Sequence, residues 1–389
     1  MMITVKDVDL TNKKVLIRCD LNVPIKDNKI LDDNRILMSI KTIEYVLKYA
    51  SNVIIISHLG RIKTKEDLEN NSLRIVCDRL SELLNENIRF CTYDEDINKV
   101  ISENKIVMLE NTRYFDIDNK KESDNDEELS KFFASLADIY INDAFGVCHR
   151  QAASVVGVAH YIPSAIGFLV EEEVNKLSEL FNPERPFSII LGGAKVSDKI
   201  GVISNLVEKA DNIIIVGAMA FTFLKAKNID IANSILDEES IDYCKDLLSK
   251  YSNKILLPSD IYVSDDINSD KKELVDINNI HDIGFDIGPK TVKEIEERIT
   301  SSKTIFVNGP AGAFENPTFS YGTKSIFEIL SNLNSKVIVG GGDSASAAIN
   351  LVGRDKFYHI STGGGASLEF IEGKELPGLK YIGEKNEEI

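Results

Sequence analysis

The chain has 389 residues, a formal net charge of −17 and an isoelectric point near 4.9. This length exceeds what one ordinary hydrophobic core holds, so it predicts two domains. The negative charge argues against nucleic acid and anionic membrane surfaces as partners, so any anion-binding site has to be locally basic.

The cysteines and the apolar stretches predict a soluble, cytoplasmic protein. The five cysteines have no CxxC or Cys/His metal spacing, and their odd number opposes a closed disulfide framework, so we expect reduced thiols. The first residues lack the charged start and apolar core of a signal peptide. No apolar run approaches the ~20 residues needed to span a bilayer, and we expect no membrane association.

Short apolar runs recur along the whole chain and predict buried parallel strands. They lie at 15–17, 53–56, 106–109, 139–141, 189–191, 213–216, 255–257, 305–307 and 337–339. Helix-length amphipathic segments such as 36–47 and 241–248 lie between them. This alternation predicts an α/β fold with two doubly wound, Rossmann-like parallel-sheet domains joined by a helical hinge.

The predicted domains are 1–167 and 183–369, with an interdomain helix at 168–182. The helical pattern over 168–181 mixes apolar and charged residues and is stopped by Pro183 and Pro186, although an ordinary surface helix remains an alternative. The charge run at 118–128 is interpreted as a solvated loop without function.

Arginine and glycine divide the chain between them. Eight of the eleven Arg lie at or before Arg150, and twenty-one of the twenty-three Gly lie at or after Gly157. Arg side chains hold phosphate or carboxylate with rigid forks, whereas glycine turns let backbone N–H groups approach a phosphate. We therefore expect one anionic ligand in each half, although scattered surface Arg and turn Gly are the plain alternative.

In the first half, polar residues follow the predicted strands, where open α/β sheets bind their ligands. Asp20 and Asn22 are candidates to hydrogen-bond a hydroxylated substrate, with His58 as a further donor; alternatively, Asp20 and Asn22 only close an Asx turn. The candidates to neutralise the phosphate are Arg35, Arg61, Arg113 and Arg150.

In the second half, Gly192 and Gly193 precede a predicted helix on which Lys195 and Lys199 share one face. Two ammonium groups near a helix N-terminus favour a polyphosphate, although surface lysines with this spacing are common. Gly217 is expected near an adenine, and Phe221, Phe223 and Leu224 are expected in the core.

Two further turns carry candidate nucleotide contacts. In the stretch Gly341, Gly342, Asp343 and Ser344, the Asp is either an N-cap or a Mg²⁺ ligand beside phosphate oxygens. The turn at 362–367 is likewise rich in glycine and predicts a second helix N-terminus that binds an anion. Asn308, Pro310 and Glu315 are expected to face a ribose.

Six segments together closely resemble the phosphoglycerate kinase family, in order and over nearly the whole chain. They are RCDLNVP at 18–24, HLGR at 58–61, NDAFG at 142–146, GGAK at 192–195, GGGD at 340–343 and TGGG at 362–365. The resemblance implies a monomeric enzyme that moves phosphate reversibly from 1,3-bisphosphoglycerate to MgADP, giving 3-phosphoglycerate and MgATP in glycolysis. It also implies hinge-bending closure and a tail, about 370–389, that packs back onto the first domain.

The resemblance assigns roles to the candidates named above. Asp20, Asn22, His58 and the four arginines would hold the glycerate ligand, and the second-half residues would hold the nucleotide, with Asp343 on Mg²⁺. The catalytic set would be Arg35, Lys195, Lys199, Gly364 and Gly365. Ala218, Ser344 and the absence of Trp before Asn308 depart from the family pattern, and Ala218 leaves the fit around the base in doubt.

Two other functions are compatible with an α/β chain of this kind. A nicotinamide-dependent dehydrogenase should show GxGxxG after a strand, and no such segment is present. A non-catalytic nucleotide-binding module would bind MgADP without turnover. The residue types also suit a kinase in which the acceptor carboxylate is already ionised at neutral pH, so no general base is needed.

Overall fold

The computed structural model describes residues 2–117 and 119–383, so Asp118 of the charge run and residues 384–389 of the predicted tail lie outside the described residues. The chain forms two compact units. Unit 1 comprises Met1–Asn175 with Glu375–Ile389, and unit 2 comprises Lys176–Lys374.

Unit 1 is built on a six-stranded parallel sheet. Its strands, together with a two-stranded hairpin (β2 and β3), are β1 (Lys14–Cys19), β2 (Ile25–Lys26), β3 (Lys29–Ile30), β4 (Asn52–Ile56), β5 (Arg89–Cys91), β6 (Ile106–Leu109), β7 (Ile139–Asp143) and β8 (Ser164–Ile166). The sheet order is β5-β6-β4-β1-β7-β8. The direction in which strands are added to the sheet reverses between β1 and β7, which makes this pair the topological switch point.

The continuous apolar strands are explained by cores on both faces of this sheet. Successive side chains point to opposite faces, so Val15 and Ile17 of β1 enter one core cluster and Leu16 enters the other. Both faces are covered by helices, which is why the runs do not alternate with polar residues.

The helices of the first half are α1 (Asn34–Leu47), α2 (Lys65–Asn70), α3 (Arg74–Leu84), α4 (Ile97–Glu103), α5 (Glu127–Ser135) and α6 (Phe168–Ser178). Helix α1 buries Ile36, Ile43 and Val46 on one face, as its amphipathic pattern predicts. Helix α6 continues into a 3₁₀ turn at Glu179–Phe181, and the boundary between the units falls within α6.

Unit 2 has a second six-stranded parallel sheet and a three-stranded antiparallel sheet. Its strands are β9 (Phe187–Leu191), β10 (Asn212–Ile215), β11 (Ile255–Leu256), β12 (Asp260–Ser264), β13 (Glu273–Asp276), β14 (Ile283–Ile287), β15 (Thr304–Asn308), β16 (Lys336–Gly340) and β17 (His359–Ile360). The parallel order β11-β10-β9-β15-β16-β17 is the dinucleotide-fold order, with its switch point between β9 and β15.

The remaining helices are α7 (Ile200–Leu206), α8 (Met219–Ala226), α9 (Ile241–Tyr251), α10 (Pro289–Ile299), α11 (Tyr321–Asn332), α12 (Gly342–Leu351), α13 (Gly365–Ile371) and α14 (Pro377–Lys380). Phe221, Phe223 and Leu224 of α8 are buried, as predicted. Within residues 2–117 and 119–383, no helix combines the length and apolarity needed to cross a bilayer.

Helix α14 belongs to unit 1, where the side chain of Asn142 donates from Nδ2 to the Gly378 carbonyl at 3.0 Å. Gly378 also donates its N–H to the Cys148 carbonyl at 2.8 Å. A Cβ at Gly378 would stand 2.9 Å from the Cys148 Cα, so glycine lets this segment lie against the chain that leads to Arg150.

Candidate active site

In unit 1, Asp20 and Asn22 follow β1 and connect neighbouring loops. The Asp20 carboxylate is 8 % exposed, and its Oδ2 accepts from Arg35 Nη1 at 2.5 Å. The Asx turn is present, with Asn22 N donating to Asp20 Oδ1 at 3.4 Å. It does not account for Asn22 Oδ1, which accepts from the Gly60 N–H at 2.8 Å and so joins the loops after β1 and β4.

Asn111 holds the next loop and was not among the predicted site residues. Its Nδ2 donates to the Leu59 carbonyl at 2.7 Å, and its Oδ1 accepts from the Arg113 N–H at 3.1 Å. Arg113 in turn donates from Nη1 to the Gly60 carbonyl. These bonds tie the loop that contains Leu59 and Gly60 to the loop that carries Arg113. The only sequence signal for this role of Asn111 was its position after a strand.

Arg113 and Arg150 line two adjoining cavities of unit 1. One cavity, of about 390 Å³, is also lined by Arg18, His58 and Glu122. The other, of about 500 Å³, is lined by Arg61, Lys63 and Lys120 with Asp116 and Asp124. The structure therefore brings together four of the predicted substrate residues, whereas Asp20 and Asn22 lie on the loop after β1 and Arg35 lies in the first turn of α1.

His58 lines this cavity as a neutral imidazole. Burial, followed by the positive charges of Arg18 and the other nearby arginines, lowers the pKa of His58 well below its ordinary value. Its Nδ1 lies 3.2 Å from Arg18 Nη2, and a guanidinium can only donate. His58 Nδ1 must therefore accept, which leaves the proton on Nε2.

The interpretation of 118–128 as a solvated loop is wrong for Glu122. This side chain is 2 % exposed and lines the cavity that contains Arg18 and His58. It is buried because its two oxygens accept from the N–H and hydroxyl of Ser154, so a partner 32 residues away satisfies the charge. A local charge count contains no signal for such a contact.

In unit 2, the loops after β9, β10 and β15 pack backbone to backbone at the switch point. Gly192 N donates to the Asn308 carbonyl at 2.9 Å, and Gly193 N donates to the Pro310 carbonyl at 3.1 Å. A Cβ at Gly192 would stand 2.1 Å from the Pro310 oxygen, and one at Gly309 would stand 2.2 Å from the Gly192 oxygen. Only glycine allows these loops to meet.

The predicted helix carrying Lys195 and Lys199 on one face is wrong. The chain after Gly193 is irregular as far as the 3₁₀ turn Ser197–Lys199, and α7 begins at Ile200. The Ser197 N–H donates to Asp237 Oδ2 at 2.9 Å, so a distant carboxylate takes a backbone group that a longer helix would have used. Lys195 is exposed, whereas burial lowers the pKa of Lys199.

Lys199 and Asn308 form a fixed pair beside the glycine loops. Lys199 Nζ donates to Asn308 Oδ1, and Asn308 Nδ2 donates to the Gly340 carbonyl at 2.7 Å. Asn308 is 1 % exposed at the end of β15. Its amide therefore connects the lysine to the turn after β16, where Gly341 has φ +90°.

Asp343 is not the N-cap of α12, because that position is held by Gly341. The Asp343 side chain is exposed in the first turn of α12. Ser344 is buried, and its Oγ accepts from the Gly309 N–H at 2.6 Å, so it holds the β15 loop in place. Pro310 is half-buried and Glu315 is exposed on the continuation of that loop.

Two glycines of these turns border open space. Apart from the chain neighbours of each glycine and the backbone of its own helix, no described residue has an atom within 4 Å of where a Cβ at Gly342 or Gly364 would stand. Gly364 has φ +51° and is followed by α13, which begins at Gly365. Gly217 has φ +67° and a Cβ there would meet the Gly193 nitrogen at 2.7 Å.

Comparison with known proteins agrees with this geometry. The family model for phosphoglycerate kinase matches residues 5–374. A phosphoglycerate kinase of Fusobacterium nucleatum is 50 % identical over 394 residues, covering 98 % of this chain and 99 % of the relative. One of Macrococcus caseolyticus is 49 % identical over 391 residues, with the same coverage.

Solved structures show the same likeness. The phosphoglycerate kinase of Coxiella burnetii superposes with a TM-score of 0.89 at 36 % identity, covering 99 % of this chain and 100 % of that one. That of Pyrococcus horikoshii OT3 gives a TM-score of 0.85 at 30 % identity, with both chains fully covered. The chain therefore belongs to the phosphoglycerate kinase family, enzymes that transfer a phosphoryl group to or from a carboxyl group in glycolysis.

Proposed function

We propose that unit 1 binds 3-phosphoglycerate or 1,3-bisphosphoglycerate and that unit 2 binds MgADP or MgATP. This assignment of the two ligands rests on the different residues found at the carboxyl ends of the two sheets. Arginines line the cavities of unit 1, whereas glycine turns meet at the switch point of unit 2.

For the glycerate ligand, Arg61, Arg113 and Arg150 are proposed to bind the phosphate, because three forked cations share one cavity. Asp20 and Asn22 are proposed to bind the hydroxyl and carboxyl end, with His58 donating from Nε2. Arg35 is proposed to bind the transferring group. Its bond to Asp20 supports this role, because the carboxylate restricts the positions that the guanidinium can take.

For the nucleotide, the turns at 341–342 and 364–365 are proposed to offer backbone N–H groups to the phosphates. The open space at Gly342 and Gly364 supports this, since a side chain there would occupy the approach to the N–H groups. Gly192 and Gly193, whose N–H groups bond the Asn308 and Pro310 carbonyls, are proposed to let the nucleotide approach the backbone closely. Gly217 is proposed to contact the base, and Asn308, Pro310 and Glu315 the ribose side.

Mg²⁺ is proposed to be held by Asp343 together with phosphate oxygens. Within the described part of the chain, no three His, Cys, Asp or Glu side chains gather as a metal site, so a cage made of protein alone is not available. One exposed carboxylate fits an ion that keeps several waters and binds mainly to phosphate. Bound there, Mg²⁺ would neutralise phosphate charge.

The residues then perform transfer by positioning and charge neutralisation. A carboxylate acceptor is ionised at neutral pH, so the chain needs no base. Arg35 from unit 1, and Lys195, Lys199 and the N–H groups of Gly364 and Gly365 from unit 2, are proposed to stabilise the equatorial oxygens. Transfer requires direct contact of the two ligands, so we further propose hinge-bending closure of the two domains when both are bound.

The test measures NADH consumption with 3-phosphoglycerate, MgATP and excess glyceraldehyde-3-phosphate dehydrogenase. The unmodified protein should consume NADH rapidly and Lys199→Ala should not, whereas Lys195→Ala should lose less activity because that side chain is exposed. A folded, MgADP-binding protein without turnover would contradict the proposal and favour a non-catalytic nucleotide-binding module.

We also propose that the protein is a cytoplasmic monomer that binds neither nucleic acid nor membranes. The five cysteines are free and buried, which suits a reducing compartment. The net charge of −17 opposes binding to polyanions. Light scattering across a concentration series should give one mass near 43.3 kDa.

A further inference from the structure

Glu122 is a buried carboxylate on the wall of the arginine-lined cavity of unit 1. Its Oε2 accepts from the Ser154 N–H at 3.0 Å, and its Oε1 accepts from the Ser154 hydroxyl. Ser154 belongs to a π-helical turn at Ala153–Gly157, a rare conformation that is often found at functional sites. The Tyr140 hydroxyl holds the same turn through the Ser154 carbonyl at 2.9 Å.

Burial raises the pKa of Glu122 above its ordinary value, and the positive charge of Arg18 opposes this shift. With Glu122 ionised, the hydrogen bonds around Ser154 have one direction. Arg18 Nε lies 2.9 Å from Ser154 Oγ, and a guanidinium only donates. The hydroxyl therefore accepts from Arg18 and gives its single proton to Glu122. This sequence of bonds links a buried cation to a buried anion, which offsets the cost of burying each charge.

The same guanidinium faces His58 from its other end. Arg18 Nη2 donates to His58 Nδ1, and Arg18 Nη1 donates to the Cys19 carbonyl at 2.5 Å. Glu122 is thus connected through Ser154 and Arg18 to the imidazole of His58, which lines the cavity and carries its proton on Nε2. A purely structural role, in which Glu122 caps the π-helical turn, accounts only for the bond from the Ser154 N–H to Oε2. It does not account for Oε1, which accepts from the Ser154 hydroxyl.

We propose that Glu122 is a positioning residue for 3-phosphoglycerate, which holds Arg18 so that His58 keeps its Nε2–H tautomer toward the ligand. The proposal rests on the assignment of this cavity to the glycerate ligand. A carboxylate on the wall of this cavity repels an anionic ligand, so Glu122 is not proposed to bind 3-phosphoglycerate directly. Its effect reaches the ligand through Ser154, Arg18 and His58.

The kinetic test compares Glu122→Gln with Glu128→Gln. Both remove one charge from the same segment, but Glu128 is exposed and lies 4.0 Å from Lys121. The KM for 3-phosphoglycerate should rise about tenfold in Glu122→Gln, as for one lost hydrogen bond to a charged group, with the KM for MgATP unchanged. Glu128→Gln should leave both values unchanged.

The spectroscopic test measures the ¹⁵N signals of the His58 imidazole. The wild type should show the proton on Nε2, and Glu122→Gln should shift both ring signals as Arg18 loses its anchor. If Glu122→Gln does not fold, Ser154→Ala removes the hydroxyl link but keeps a backbone N–H for Glu122. A wild-type proton on Nδ1, or a folded Glu122→Gln with unchanged KM and unchanged imidazole signals, would overturn the proposal.

Binding of 3-phosphoglycerate to the wild type separates this proposal from the proposed function. If the wild type does not bind 3-phosphoglycerate, both are overturned. If it binds and Glu122→Gln keeps the wild-type KM and His58 signals, only the role of Glu122 is overturned.

Discussion

The two units hold similar loops at the ends of similar sheets by different means. In unit 1 the loops are tied by side chains, with Asn22 bonded to Gly60 and Asn111 bonded to Leu59. In unit 2 glycine backbones also bond directly, as between Gly192 and Asn308, beside the side-chain bond of Ser344 to Gly309. Side-chain ties leave room for guanidinium groups, whereas the close backbone contact at Gly192 and Gly309 requires residues without side chains.

The largest effect is expected from Arg35→Ala in unit 1. If Arg35 stabilises the transferring group, kcat should fall about a hundredfold or more, as for one lost preorganised donor. The steady-state rate at saturating 3-phosphoglycerate and MgATP measures this. Arg79→Ala is the matched control, because Arg79 is paired with Asp33 on the same unit and has no proposed contact with substrate. Unchanged kcat in folded Arg35→Ala would contradict the assignment.

The buried carboxylate of Asp286 in unit 2 is held by backbone N–H groups, and its titration should change the stability of the protein with pH. Burial raises its pKa to about 7, although its oxygens accept from the N–H groups of Ile287 and Gly322. Because the folded pKa exceeds the ordinary value of 3.8, the folded state binds the proton more tightly. The contribution of Asp286 is therefore most favourable below about pH 4 and is lost as pH rises toward 7.

Asp286→Asn cannot titrate but keeps an acceptor oxygen, so the variant should not lose stability at this position as pH rises. Relative to the wild type, its free energy of unfolding should rise by about 2 to 3 kcal/mol between pH 4 and pH 7, measured with urea at each pH. Asp276→Asn is the control of opposite sign, because backbone bonding to Asn278 lowers the pKa of Asp276. A pH-independent difference for Asp286→Asn would refute the prediction.

Gly309→Ala tests direct backbone contact. Its φ is +100° and the new Cβ would stand 2.2 Å from the Gly192 oxygen, so the variant should lose about 2 kcal/mol of stability and bind MgADP more weakly. Gly353→Ala has a similar φ of +103°, but no described atom lies within 4 Å of its new Cβ. It should lose about 1 kcal/mol from backbone strain alone. Equal losses in both variants would show that the contact is unimportant.

The smallest effect is expected from Arg113→Lys, which keeps the charge and removes the fork. The KM for 3-phosphoglycerate should rise about tenfold with the KM for MgATP unchanged, because Lys cannot bond the Gly60 carbonyl and a phosphate together in the same geometry. Lys63→Arg is a control on the wall of the same cavity. A rise in both KM values would indicate a general disturbance of the fold.

Much of the fold was predictable, because buried parallel strands leave a local signal. The apolar runs and the α1 pattern were confirmed, since burial on both sheet faces requires continuous apolar residues. The helix through Lys195 was wrong because Asp237, forty residues away, bonds the Ser197 N–H. No pattern in the sequence around Lys195 indicates the bond from Ser197 to Asp237.

The candidate site was predictable in its residue types and only partly in its arrangement. Asp20, His58 and Arg113 were identified from their positions after strands, since parallel strands bring such positions to one edge. Glu122 was missed because a charged residue in a charged segment is usually solvated. Its burial depends on Ser154, which the sequence places 32 residues away.

Local propensity, hydrophobic period and glycine turns depend on neighbours along the chain, so the amino-acid sequence alone determined the α/β class and the family. The pairings of Arg18 with His58, Lys199 with Asn308 and Ser344 with Gly309 join residues 35 to 109 positions apart. These pairings, and with them the protonation of His58, arose only when the sheets brought distant strand ends together, because hydrogen bonds act over a few ångströms whatever the separation in sequence.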